Sequence, residues 1–310
     1  MDKKYDVIIV GGGPAGMTAA IYAKRAALKT LLVEKAFMCG GQVINTYEVD
    51  NYPGLPGIDG FSLSEKFREH AERLETEFLT DEMEKVVDEG IWKRVILKSG
   101  EEYQAKAVIL AMGAVHRKAG VEGEDLFAGK GVSYCATCDG AFFRNKTAAV
   151  IGGGDVALED AIFLARSCKK VYVIHRRDEF RGAKILQQKL MALDNVEILW
   201  DSVVKEIKGE DVVTGAVVEN KKKGITEEIS LDGVFVAIGT VPDTKNLEGT
   251  VELDAGGYII AGEEGKTSVP GIFCGGDCRT KKLRQIITSA SDGANCVFSA
   301  EAYLNTLSEV

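Results

Sequence analysis

Cys135 and Cys138 are the residues of this 310-residue chain best equipped for chemistry. They stand in CATCDG (135–140) as a C-x-x-C. That spacing alone fits a zinc ligand pair, a structural bridge, or a dithiol that cycles with its disulfide. A structural zinc normally needs four ligands. The remaining cysteines (Cys39, Cys168, Cys274, Cys278, Cys296) form no second C-x-x-C, and His70, His116 and His175 are scattered. Only Cys274 and Cys278 could join such a site. Seven cysteines are too few for a disulfide scaffold, and the number is odd. Asp139 follows the pair directly. It could move a proton on and off a cysteine sulfur, and its plainer role is the first residue of an Asp-Gly turn.

A redox dithiol needs an electron source, and two glycine-rich stretches supply candidate sites for one. An apolar run over 5–10 (YDVIIV) predicts a buried parallel strand. GGGPAG (11–16) follows, then an alanine-rich helix over 17–28 and a strand over 30–34. This is the setting in which G-x-G-x-x-G binds a dinucleotide. Gly11 permits the tight turn, Gly13 lets the backbone approach a pyrophosphate, and Gly16 allows close helix–strand packing, with Pro14 and Ala15 completing the motif. Glu34 ends the second strand and would accept a ribose 2′-OH. An acid there repels a 2′-phosphate, so the ligand is expected to be FAD or NAD.

The pattern returns at GGGDVA (152–157), between a strand over 147–151 and a helix over 158–167, with the next strand over 170–174. Gly11 to Glu34 spans 23 positions, and so does Gly152 to His175, so the second unit repeats the first with a shift of 141. Gly152, Gly154 and Ala157 take the three motif places, with Asp155 between. Here no acid stands at the second strand's tip. His175, Arg176, Arg177 and Arg181 stand there, and forked guanidinium groups suit a 2′-phosphate, so the expected ligand is NADPH. Two dinucleotide sites of opposite charge preference imply electron transfer from a nicotinamide to a flavin.

The rest of the chain is richer in strands, expected over 86–87, 92–97, 105–111, 196–199, 203–207, 212–219, 228–231 and 233–238. A last long helix is expected from 284 to about 305. Lys221-Lys222-Lys223-Gly224 reads as a solvated hairpin tip. The fold class is α/β: two Rossmann-like dinucleotide-binding domains, each in three layers. The net charge of −9 disfavours nucleic acid and anionic membrane as partners. No apolar run reaches a membrane span, and the chain enters its first strand with no leader pattern, which reads as cytoplasmic.

These motifs resemble the low-molecular-weight, NADPH-dependent thioredoxin reductases over the whole chain. The likeness rests on GGGPAG (11–16), GGQ (40–42), NYPG (51–54), CATCDG (135–140), GGGDVA (152–157), HRRDEFR (175–181), GGD (275–277) and RQI (284–286). The resemblance implies a homodimer, thioredoxin as the protein substrate, and an NADPH domain (116–244) inserted in a split FAD domain (1–115 and 245–310). It places Gly41, Gln42 and Asn51 along the flavin. It also assigns Ala111, Gly113, Gly276, Asp277, Arg284, Gln285 and Ile286 to FAD, and Ile238 and Gly239 to NADPH. The start of the last helix, near Asp292, would face the flavin's pyrimidine side. Cys138 would lie nearest the flavin and Cys135 would attack thioredoxin. One domain would turn against the other about segments 113–119 and 239–246.

Three positions depart from the family's pattern. Met112 stands in the segment commonly read A-T-G, Cys274 and Cys278 flank GGD, and Asp243 replaces a common Asn. The two cysteines read either as buried small apolar groups or as a second redox pair. Same-fold alternatives are a reductase or dithiol oxidase with another acceptor and a ferredoxin-dependent relative. Arg176, Arg177 and Arg181 argue against the last two. A non-catalytic redox sensor is a further alternative, with no effector domain to support it.

Overall fold

The computed structural model describes residues 3–46, 49 and 51–308, so Met1 and Asp2 of the leading stretch lie outside the described residues. Along the chain the first elements are β1 (Lys4–Val10), α1 (Pro14–Arg25), β2 (Thr30–Glu34), α2 (Gly60–Arg73), β3 (Glu77–Thr80), β4 (Met83–Glu89), β5 (Trp92–Leu97), β6 (Glu102–Leu110) and β7 (Ala114–His116). Next come β8 (Val132–Ser133), α3 (Ala136–Asp139), β9 (Thr147–Gly152), α4 (Asp155–Ala165), β10 (Lys170–Ile174), α5 (Lys184–Met191) and β11 (Val196–Leu199). The antiparallel strands β12 (Ser202–Gly209), β13 (Val213–Asn220) and β14 (Ile225–Ser230) follow, then β15 (Gly233–Ala237), β16 (Thr240–Pro242), β17 (Ile272–Cys274) and α6 (Ile286–Ser308).

The chain divides into two compact units, Met1–Val115 with Val241–Val310, and His116–Thr240. The expected second boundary, 244/245, lies four residues further on. The two crossing strands, β7 and β16, pair with each other.

The first unit is built on a sheet ordered β3-β2-β1-β6-β5-β4, with β17 also paired to β6. Its centre is parallel, and Val7, Ile8 and Ile9 of β1 are fully buried. A β1 side chain so buried contributes about 1.5–3 kcal/mol. The apolar run therefore fixes β1 at the middle of the sheet, with α1 and α6 on one face. α1 begins three residues before the expected helix because Pro14 suits the first helical position, where its missing N–H costs nothing. It ends at Arg25, and Ala27 turns left-handed (φ 57°).

The second unit repeats the plan with the parallel order β11-β10-β9-β15-β8 and a separate β12-β13-β14 meander. The 221–224 tip joins β13 to β14 in an antiparallel hairpin, with Gly224 at positive φ. As in the first unit, α4 opens three residues before the expected helix, at Asp155, directly after the glycine turn. β10 lies between β9 and β11, which carries its tip and the arginine segment to the end of the sheet where the glycine loop lies.

Asp160 on α4 is partly buried, and burial beside Glu159 pushes its carboxyl up to about 7. The folded state thus holds this proton more tightly than the unfolded chain does. The stability present below the ordinary carboxyl value of 3.8 is lost progressively as pH rises to about 7. Asp160→Asn is expected to raise the Tm at pH 8 and to raise it much less at pH 5. Thermal melts at the two pH values check this, and equal shifts at both would refute it.

Candidate functional site

The two glycine loops share a strained feature. Gly11 has φ +106°, and a Cβ there would sit 2.2 Å from the Ala111 carbonyl oxygen. Gly152 has φ +154°, and its Cβ would sit 2.2 Å from the Ala237 carbonyl oxygen. A side chain at either place meets rigid backbone, so both turns demand glycine. Ala111 directly follows β6 and Ala237 ends the matching strand β15, with Gly113 and Gly239 two residues beyond, both at positive φ. The duplication read from 11–34 and 152–175 therefore extends to these more distant segments. Ile238, half-buried, lies between Ala237 and Gly239.

Each loop ends in a helix with free N-terminal donors. Gly13 caps α1 and Gly154 caps α4, both extended and both without a side-chain cap. A Cβ at either glycine would meet nothing within 4 Å. Uncapped N–H groups beside open space can receive a phosphate. Gly16 brings α1 against its own loop, where a Cβ would meet the Gly11 carbonyl oxygen at 1.8 Å. Ala15 is buried in the same first turn.

Opposite charges stand at the two strand tips. Glu34 accepts the Gly12 N–H at 2.5 Å and the Ala36 N–H at 2.8 Å, one on each oxygen. These bonds fix the carboxylate beside the loop and leave it lone pairs for a ribose hydroxyl. A cavity of about 230 Å³ opens there, lined by Glu34, Lys35, Met83, Met112, Asp243 and Asn246 among others. Asp243, the departure from Asn, pairs with Lys35 at 2.5 Å.

In the second unit Arg176, Arg177 and Arg181 are all exposed after β10. The Arg181 N–H donates to the Gly153 carbonyl at 2.8 Å, which docks the arginine segment on the glycine loop. Asp155 holds the same segment by accepting the Ala183 N–H at 2.6 Å. His175, expected beside the arginines as a ligand, is placed differently. Its ring is buried against Gly153, Phe180 and Trp200, and its Nε2 lies 3.0 Å from the Glu179 carbonyl oxygen. Burial pushes its pKa down, which keeps the imidazole neutral under the loop.

Several residues assigned only through resemblance come together. Asn51 Nδ2 donates to Gln285 Oε1 at 2.8 Å across 234 residues of sequence. Gln42, on a short 3-10 helix that starts at Gly41, donates to the Ala114 carbonyl. Burial pushes the Asp277 carboxyl up from its ordinary value, and it accepts from the Ser289 hydroxyl at 3.0 Å. Arg284 donates to the Asp277 and Arg279 carbonyls and stacks over Tyr258, so its guanidinium is bound up in the turn, and Ile286 opens α6. Asp292, in the second turn of that helix, is buried in a charged cluster. Cys274 and Cys278 are fully buried, with sulfurs 3.6 Å apart and unbonded.

Cys135 and Cys138 are joined by a disulfide. Cys135 caps α3: its sulfur accepts the Cys138 N–H at 3.2 Å and lies 3.3 Å from the Thr137 hydroxyl. Cys138 is exposed and Cys135 half-buried, with Asp139 closing the same short helix. The approach to the pair is held by Glu124, which sequence reasoning missed. This buried carboxylate takes the N–H groups of Ala119 (2.9 Å) and Gly120 (2.6 Å) and the Tyr134 hydroxyl (2.8 Å). Its own neighbours in sequence carry no signal of that role. Among the described residues no group of three or more His, Cys, Asp or Glu suits a metal ion, and no helix is long and apolar enough to cross a membrane.

Residues 5–293 match the family model described as pyridine nucleotide-disulphide oxidoreductase. The chain is 45% identical over 309 residues to a thioredoxin reductase of Listeria monocytogenes, covering 99% of this chain and 96% of that protein. It is 44% identical to one of Bacillus subtilis, covering 99% and 97%. Its backbone matches the crystal structure of a Lactococcus lactis thioredoxin reductase with a TM-score of 0.95 at 42% identity, covering 97% of this chain and 99% of that one.

Proposed function

The chain belongs to the pyridine nucleotide-disulphide oxidoreductase family, among its thioredoxin reductases, and on that premise we propose that it passes two electrons from NADPH through FAD to Cys135–Cys138 and on to thioredoxin. Family membership carries the use of a flavin and a nicotinamide nucleotide. What favours FAD and NADPH in particular is the contrast between the two strand tips, Glu34 on one loop and three exposed arginines on the other.

The residues fit both groups. The uncapped first turn of α1, between Gly13 and Gly16, would take the FAD pyrophosphate, and Glu34 would take its adenosine ribose. Gln42, Asn51, Gln285 and Asp277 would line the remainder. The first turn of α4 and Arg176, Arg177 and Arg181 would hold NADPH. FAD, when bound, supplies the two-electron step that links a nicotinamide to a disulfide.

The protein's own part is thiol–disulfide exchange. Two electrons and two protons open Cys135–Cys138 to a dithiol. The Cys135 sulfur already faces the Cys138 N–H and the Thr137 hydroxyl, and both stabilise a thiolate there. That thiolate attacks the thioredoxin disulfide and expels one thioredoxin sulfur, which leaves with a proton. Cys138 then attacks Cys135, releases the second thioredoxin sulfur as a thiol and restores the bridge. Asp139 adjoins Cys138 and can carry the proton. The protein would work as a cytoplasmic homodimer, in keeping with the resemblance.

The test is a coupled assay with thioredoxin. Yellow purified protein should oxidise NADPH in proportion to thioredoxin reduced, with NADH far less effective. Colourless, flavin-free protein, or equal use of both nucleotides, would overturn the reading.

A further inference from the structure

Asp292 on α6 is 4% exposed, yet its carboxylate accepts four hydrogen bonds. They come from the Gly276 N–H at 2.9 Å, Arg279 Nε at 3.0 Å, Arg279 Nη2 at 2.7 Å and Lys281 Nζ at 2.8 Å. The Arg279 and Lys281 side chains are only 11% and 6% exposed. One carboxylate therefore serves two buried cations. Asp277 and Arg284 adjoin the group, and Asp277 feels both Lys281 and Arg284. Asp277 and Arg284 are half-buried and of opposite charge, so the fully buried part keeps two cations on one carboxylate. A buried excess charge costs several kcal/mol unless an anion offsets it.

The cluster stands against the phosphate cradle of the first unit. A Cβ on Gly293, next to Asp292, would meet the Ala15 carbonyl oxygen at 2.1 Å. A Cβ on Gly276 would meet Ala15 Cβ at 3.0 Å. Ala15 belongs to the uncapped first turn of α1, so the Gly276 turn and the α6 segment that carry the cluster pack against the place open to an anion.

We propose that Arg279, Lys281 and Asp292 form a positioning clamp for FAD: Asp292 fixes the Gly276–Asp277 turn, and the surplus positive charge is matched by the cofactor's pyrophosphate. This rests on the FAD reading above. The contribution of Lys281 is electrostatic and acts on a dianion across the first turn of α1. The same clamp couples α6 to β17 through one buried carboxylate, so the turn that presents Asp277 cannot drift from the cradle.

Lys281→Met tests this, because it leaves the Arg279–Asp292 pair whole. FAD is titrated into deflavinated wild type, Lys281→Met and Lys281→Arg, with flavin fluorescence read at low and high salt. Circular dichroism and binding of 2′,5′-ADP to the second unit confirm folding. Lys281→Met is expected to weaken FAD about tenfold or more at low salt. The loss should narrow as salt screens the charge, and Lys281→Arg should restore most of the affinity. Unchanged FAD affinity in Lys281→Met overturns the proposal. So does a loss that ignores salt and is not rescued by arginine, which would mark simple packing. If Lys281→Met misfolds, Lys281→Gln is read in the same way. Wild type that takes up no FAD would instead overturn the FAD reading itself.

Discussion

Cys135→Ser is expected to abolish thioredoxin turnover while NADPH still bleaches the flavin. Serine keeps the cap on α3, since its oxygen can accept the Cys138 N–H as the sulfur does. Local structure is thereby preserved and the loss is chemical. Without a Cys135 thiolate no mixed disulfide with thioredoxin forms. Turnover should fall to the background of the assay. Flavin reduction, followed as loss of absorbance on adding NADPH under anaerobic conditions, should keep its wild-type amplitude. Cys138→Ser separates the two roles. It leaves the Cys135 thiol free to attack, with nothing to resolve the product, so a stable mixed disulfide with thioredoxin should accumulate on a non-reducing gel. Thioredoxin turnover that survives Cys135→Ser would name another thiol as the nucleophile. The assignment of Cys135 as attacking sulfur rests on resemblance, and the two donors that face its sulfur now give it a physical reason.

How much of this was legible in sequence follows from range. The loops at 11–16 and 152–157 announce themselves because each is a local strand–turn–helix written in contiguous residues. Glu34 and the arginines are legible because the distance from loop to strand tip is fixed by one helix and one strand. β1, β2, β10 and β11 were read to within a residue for the same reason, their apolar runs being short and bounded by turns. α2 escaped because its buried stripe (Leu63, Phe67, Ala71, Leu74) is thin and interrupted by charge, and its start is marked only by the Asp59 cap on Ser62. Glu124, Arg279, Lys281 and Asp292 escaped because what defines each is a partner brought close by the fold. The Gly276 N–H meets Asp292 across 16 residues, and Asn51 meets Gln285 across 234. His175 shows the opposite error. Its place in the repeat matches Glu34, yet the ring is used as packing beneath Gly153, because an imidazole flanked by Phe180 and Trp200 is better buried than exposed.

The largest expected effect in the second unit belongs to Arg176 and Arg177. Both are exposed at the end of β10, and nothing in the unit's core depends on their side chains. Replacing both by alanine should leave the fold and the flavin untouched. If each guanidinium makes one charge-assisted hydrogen bond to the 2′-phosphate, the pair contributes about 3 kcal/mol, taking about 1.5 kcal/mol for each. That is on the order of a hundredfold in affinity. Solvent weakens exposed contacts, and so the figure sits at the low end of such bonds. The loss should appear in the KM for NADPH, with kcat changed far less, because these residues contact a part of the nucleotide remote from the hydride. NADH lacks the phosphate, so its constants should stay close to those of the wild type. The double variant should therefore lose most of its preference between the nucleotides while gaining no speed with either. Arg181 is a third contributor, placed by its own N–H on Gly153, so some discrimination should persist until it too is removed. An equal loss for NADPH and NADH would mean that the two arginines support the loop and do not read the phosphate. The opposite charges at the ends of β2 and β10 would then need another explanation.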